Sequence, residues 1–178
     1  MSDHDLEEVF KDHGFTDYRW IDPQKIVFGQ WVRMKCMYGC GYYGYMATCP
    51  PNVPSVPECE RFVKEYTKCA VFHFERQMKN PEDRHVWTKE INQRLYELEI
   101  SIFKADHVKA FLLPTDSCEL CSKCSSNREE CRHPEQARPS ADALGIDVYS
   151  TVRSIGYPIH VLSDYDQPMN RYAFLLIE

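Results

Sequence analysis

The sequence predicts an α+β fold: a single-domain sandwich, residues 1–178, with helices packed on one face of a mostly antiparallel or mixed sheet and two cysteine-rich loops. Three observations predict it. The chain has 178 residues, which suits one hydrophobic core rather than two. Helix-period and strand-period segments follow one another with no repeat, low-complexity tract or linker between them. Most of the 9 cysteines fall in two loops, Lys35–Pro54 and Thr115–Pro139, that carry too many Gly, Pro and polar residues to pack as core.

Leu6, Val9 and Phe10 share one face of a helix expected over Asp5–His13, with Gly14 as its stop. Extended segments are expected at Ile26–Phe28 and Trp31–Met34. Ser55 with Glu58 three residues on reads as a capping box, and it opens a helix whose apolar positions are Cys59, Phe62, Val63 and Tyr66. Cys69–Glu75 reads as a strand. Asn80-Pro81-Glu82-Asp83 supplies a cap, a proline for the first helical position and first-turn acids. The helix it starts places Trp87, Ile91, Leu95, Leu98 and Ile102 along one stripe. A strand over His107–Leu113 ends at Pro114. Beyond the second cysteine loop a helix is expected from about Ser140 to Ser154, weakened by Gly145. Strands at Pro158–Leu162 and Arg171–Ile177 follow, separated by turn formers.

Composition narrows the function. Apolar content is 43% and charged content 27%, ordinary for a globular protein. The net charge of −6 lacks the basic footprint of a nucleic-acid binder, so nucleic acid is set aside as a partner. No run reaches the roughly 18 apolar residues of a membrane helix, so no membrane role is expected. The acidic start, Met1 to Glu8, has no signal-peptide core, and a cytoplasmic location is expected. Thiols are kept reduced there, and an odd cysteine count fits a disulfide framework poorly. Metal ligation or thiol chemistry is the better explanation.

Cys118-x2-Cys121-x2-Cys124-x6-Cys131 is the strongest chemical signal. Two-residue gaps let a loop curl so that successive sulfurs turn inward, and three such thiolates plus a fourth can hold a [4Fe–4S] cluster. Pro134 lies three residues after Cys131 rather than beside it, so the match to a bacterial ferredoxin run is partial. A structural zinc site tolerates the same four thiolates and stands as the alternative.

Cys36-x3-Cys40-x8-Cys49, ending in Pro50-Pro51, is the second constellation and matches no standard ferredoxin spacing. Gly39, Gly41 and Gly44 permit close approach of backbone N–H groups to sulfur. Three cysteines make an incomplete site. Either another ligand arrives from elsewhere (His73, His133 or an acid), or one iron stays open to a substrate, or the three are redox or supporting thiols beside one cluster.

Together, C-x-Y-G-C-x-x-Y-G-x4-C-P-P, C-x-x-C-x-x-C, C-R-H-P-E-x-A-R-P-S and G-I-D-V resemble a family of small cysteine-rich predicted metal-binding proteins, a domain of unknown function. The resemblance runs from about Arg33 to the C-terminus. It implies metal binding by Cys36, Cys40, Cys49, Cys118, Cys121, Cys124 and Cys131, and it implies no reaction. Cys59 and Cys69 fall outside the pattern and read as small buried hydrophobes. His73, between two phenylalanines of a strand, reads as structural. Arg132, Arg138 and Arg153 are candidates to border the site, and Tyr38, Tyr42, Tyr43 and Tyr45 to shield it.

The expected function is therefore an iron–sulfur protein with an electron-transfer or redox-accessory role, holding one [4Fe–4S] cluster or two and serving a redox partner protein. The alternatives are an iron–sulfur enzyme with an open iron site, and a four-cysteine zinc module without catalysis. Oligomeric state is left open.

Overall fold

Alternation along two central strands organises the chain. The computed structural model describes residues 3–80, 82–164 and 166–178. Strand β2 (Cys69–Arg76) pairs antiparallel with β4 (Met169–Leu176), from Cys69 opposite Leu176 to Arg76 opposite Met169. Strand β1 (Tyr18–Ile21) lies outside β2, and β3 (Phe111–Leu113) outside β4, so the order is β1-β2-β4-β3 with every pair antiparallel. Cys69, Val71, Phe174 and Leu176 serve one apolar cluster, while Ala70, Phe72, Ala173 and Leu175 serve another. Successive side chains of a strand point to opposite faces, so both faces of this sheet are covered.

The second cluster is closed by α1 (Asp3–Asp12), through Leu6 and Phe10, and by α4 (Asp83–Lys104), through Trp87, Ile91, Leu95, Leu98 and Ile102. The first cluster is closed by Cys59 and Val63 of α3 (Val56–Lys64), Val152 of α5 (Val148–Ser154), and the turn residues Ala141 and Leu144. Burying each fully enclosed Phe or Leu contributes about 1.5–3 kcal/mol. Helices on one face only was the expectation. The continuous apolar runs of β2 and β4 explain the difference, because a strand with one wet face would alternate with polar residues.

Most expected elements form. The capping box is present, with the Ser55 N–H donating to Glu58 Oε2 at 2.9 Å. Gly14 ends the first helix at φ +77°. Pro81, expected at the first position of the long helix, lies outside the described residues, as do Met1 and Ser2; α4 itself begins at Asp83.

Three expectations are corrected. Trp31–Met34 is helical, part of α2 (Gln30–Gly39), which also takes in Lys35 to Gly39 from the expected loop. The helix over Ser140–Ser154 shortens to α5, because Gly145 sits at φ +89° and breaks the helix path. Pro158–Leu162 forms no strand and has no neighbouring strand to pair with. Among the described residues no helix is long and apolar enough to cross a membrane.

Candidate metal centre

The second cysteine loop hangs on one face of α4. His85, Asn92, Tyr96 and Glu99 recur at helical spacing, and each holds a point of the loop or of the strand end leading to it. His85 Nδ1 lies 2.6 Å from Glu119 Oε1. Asn92 Oδ1 accepts from the Thr115 N–H at 3.0 Å, and the Tyr96 hydroxyl donates to Glu135 O at 3.1 Å. Glu99, buried at 3% exposure, accepts from Arg138 Nε at 3.0 Å and from the Leu112 N–H at 2.8 Å. The apolar stripe of the same helix faces the sheet, so α4 fixes the loop relative to the core.

Held this way, Cys118, Cys121, Cys124 and Cys131 line one small cavity together with Ala47, Arg132 and His133. Burial pushes the Cys118 thiol up from its ordinary range, and the neighbouring Cys131, Cys124 and Cys121 push it further. At Cys124 burial also opposes ionisation, but hydrogen bonds from Ala47, Ser126 and Ser125 outweigh it and hold this thiol low. The Ala47 N–H donates to Cys124 Sγ at 3.3 Å.

That bond comes from the first cysteine loop. Gly44 at φ +75° turns this loop, and its N–H donates to Pro50 O at 2.9 Å. The Asn52 amide then donates to Met46 O at 3.1 Å and to Ser126 O at 3.0 Å, while the Ser126 hydroxyl donates to Tyr45 O at 3.0 Å. The two loops, distant in sequence, therefore meet at one place.

Cys36 closes the last turn of α2, where its carbonyl accepts from the Cys40 N–H at 3.3 Å. Burial raises the Cys36 thiol, with Asp142 and Cys40 adding to it. Cys49 is buried and pushed up to about 12, first by burial and then by Asp142, Cys40, Cys36 and Cys118. Cys49 thus neighbours both groups. Cys36 and Cys40 open onto a groove of about 890 Å³, whose lining includes Asp116, Asp142 and Arg171.

Four cysteines share the small cavity, Cys36 and Cys40 share the groove, and Cys59 and Cys69 line neither. Cys59 is buried on α3 with its Sγ 3.5 Å from Pro54 O, and Cys69 is fully buried in β2. His73 is occupied elsewhere, with Nδ1 2.7 Å from Asp17 Oδ2 and Nε2 2.6 Å from Asn170 Oδ1. Arg132 borders the four-cysteine cavity, whereas Arg138 pairs with Glu99 and Arg153 donates to Ile159 O. Tyr38 and Tyr45 are mostly exposed, at 78% and 69%, which argues against shielding by these two rings.

A family model described as "Predicted metal-binding protein (DUF2284)" matches residues 19–177. The chain belongs to this family. Metal binding is the property the family's description names, and the chemistry of the donors here agrees with it: four thiols on one cavity, with backbone and hydroxyl groups already aimed at one of the sulfurs. No curated protein and no solved structure is significantly similar to the chain. The polar stripe of α4 was missed at the sequence level. Its signal was available, since His85, Asn92, Tyr96 and Glu99 stand at intervals of seven, four and three.

Proposed function

We propose that the chain is an iron–sulfur protein with an electron-transfer or redox-accessory role, its cluster held by Cys118, Cys121, Cys124 and Cys131. The observation that carries this reading is that all four cysteines of the C-x2-C-x2-C-x6-C run line one small cavity. Cys131, Cys124 and Cys121 lie near enough to Cys118 to raise its ionisation cost.

Once bound, such a cluster supplies single-electron transfer at a potential set by its surroundings. The chain's own residues do the rest. The Ala47 N–H donates to Cys124 Sγ, and a donor on a ligating sulfur favours the reduced, more negative state. Arg132 adds positive charge beside the cavity. All four cysteines are only partly buried, which leaves a short path to a redox partner protein at the surface.

One observation favours a second reading, an iron–sulfur enzyme. Cys36 and Cys40 face a groove large enough for a small substrate.

Anaerobic purification with iron, sulfide and zinc analysis tests the proposal. The expected result is brown protein with a broad absorption band near about 400 nm and acid-labile sulfide. Stoichiometric zinc without sulfide would overturn it.

A further inference from the structure

Residues Ala141–Asp147, expected to be helical, instead form a turn clamped against the start of α2. The Gly29 N–H donates to Gly145 O at 2.9 Å, and the Asp147 N–H donates to Val27 O at 2.8 Å. Arg33 of α2 donates through Nη2 to Ala143 O and to Pro54 O, both at 3.1 Å. One guanidinium thus ties together the helix that carries Cys36, the turn, and the end of the loop that carries Cys49.

Ala141 and Ala143 are buried, and Asp142 between them is exposed into the groove that Cys36 and Cys40 also line. Asp142 precedes Ala143, whose carbonyl holds Arg33, and Arg33 stands three residues before Cys36 on α2, so the turn brings this carboxylate to the helix face of Cys36. It is an electrostatic neighbour of both Cys36 and Cys49.

Most other acids and histidines of the region are held or placed elsewhere. Asp147 caps α5, accepting from the Ser150 N–H at 3.0 Å and the Ser150 hydroxyl at 2.6 Å. Asp116 accepts from the Ser117 N–H at 3.0 Å. His73 is held between Asp17 and Asn170, and His133 lies on the four-cysteine cavity. Asp142 has a hydrogen bond from Ser140 and Arg171 as a positive neighbour across the groove, but among the described residues no Lys, Arg or His reaches ion-pair distance of it. A carboxylate with no ion pair, beside three thiols, is suited to a bound cation.

We propose that Asp142 is the fourth protein donor, with Cys36, Cys40 and Cys49, to a second iron–sulfur cluster beside the first. The inference rests on the iron–sulfur reading above and completes the set that three cysteines leave short. A carboxylate oxygen is a harder and more exchangeable ligand to iron than a thiolate. The second centre would then be closed at rest, with its weakest link facing the groove.

The test is anaerobic reconstitution of the full chain with ferrous iron and sulfide, followed by iron and sulfide analysis and Mössbauer spectroscopy. Wild type should hold two clusters. Asp142→Ala and the isosteric Asp142→Asn should each hold half the iron and sulfide, while Asp142→Cys should restore both. Cys121→Ser should keep the iron site that carries oxygen ligation. Melting of the metal-free variants shows whether each remains folded, and Asp142→Asn serves if Asp142→Ala does not. Full wild-type iron in folded Asp142→Asn overturns the assignment. So does a wild type holding one cluster that Cys121→Ser abolishes, an outcome that leaves the iron–sulfur reading standing. Zinc without sulfide in wild type overturns both.

Discussion

Replacing Arg138 by Met isolates the tie between the second cysteine loop and the core. Glu99 is buried on α4 with a side chain 4% exposed, and Arg138 opposite it is 20% exposed. Glu99 Oε1 takes the Arg138 Nε–H and the Leu112 N–H, while Oε2 has no partner. Met keeps the apolar stem of Arg138 packed near Tyr96 and Phe111 but removes the charge. The carboxylate is then left with one backbone donor. Breaking a buried pair on one side costs about 3–5 kcal/mol, and the partial exposure of Arg138 points to the lower end. For a chain of this size about 3 kcal/mol corresponds to a melting temperature lowered by roughly 6–12 °C. Circular dichroism melts of metal-free, reduced protein measure it, with Arg61→Met on the exposed side of α3 as the control. Glu99→Gln should cost less, since the amide oxygen still accepts from Leu112. An Arg138→Met loss no greater than that of Arg61→Met would refute the argument that this pair anchors the loop.

Three further outcomes are expected. Cys121→Ser should lose the metal of the four-cysteine cavity and lower stability, whereas Cys59→Ala should keep full metal content and cost only about 1–2 kcal/mol of packing; metal analysis and melting of the two variants decide this. Gly145→Ala should destabilise by about 1–3 kcal/mol, because φ is +89° there and the new Cβ would meet Val56 Cγ2 at 2.8 Å; chemical denaturation measures it. Burial pushes the Tyr66 hydroxyl from 10.0 up to about 12, so the unfolded chain releases this proton first. The contribution of Tyr66 to stability should therefore be intact below about pH 10 and be lost as pH rises toward 12, and Tyr66→Phe should remove that part of the pH dependence.

The parts of the fold visible in the sequence are those where burial is one-sided by helix or complete by strand. Trp87, Ile91, Leu95, Leu98 and Ile102 announce α4, and the apolar runs of β2 and β4 announce the centre of the sheet. Strand β1 was not anticipated. Tyr18–Ile21 is only four residues, one of them Arg, and its place is set by pairing with β2. Trp31–Met34 reads as a short, largely apolar run, yet it continues into a helix whose Trp31 and Met34 stay about half exposed, at 50% and 45%. Pro158–Leu162 is another short, largely apolar run, and it joins none of the four strands of the sheet. For the site, local spacing identifies the four cysteines from Cys118 to Cys131. What spacing cannot express is that Ala47 donates to Cys124, or that Asp142 emerges beside Cys36. The second of these depends on a turn at Gly145 hidden inside an apparently helical segment.

The two stripes of α4 carry a consequence for how this chain can vary in length. Each residue added to a helix rotates everything beyond it by about 100°. An insertion or deletion between His85 and Glu99 would swing Leu95, Leu98 and Ile102 off the sheet. In the same motion it would carry Tyr96 and Glu99 away from Glu135 and Arg138. No loop adjustment compensates both, because one rigid rod serves both neighbours. The fifteen-residue stretch of α4 from His85 to Glu99 is thus a fixed ruler, and its length is as constrained as the identity of any cysteine in the loop it supports.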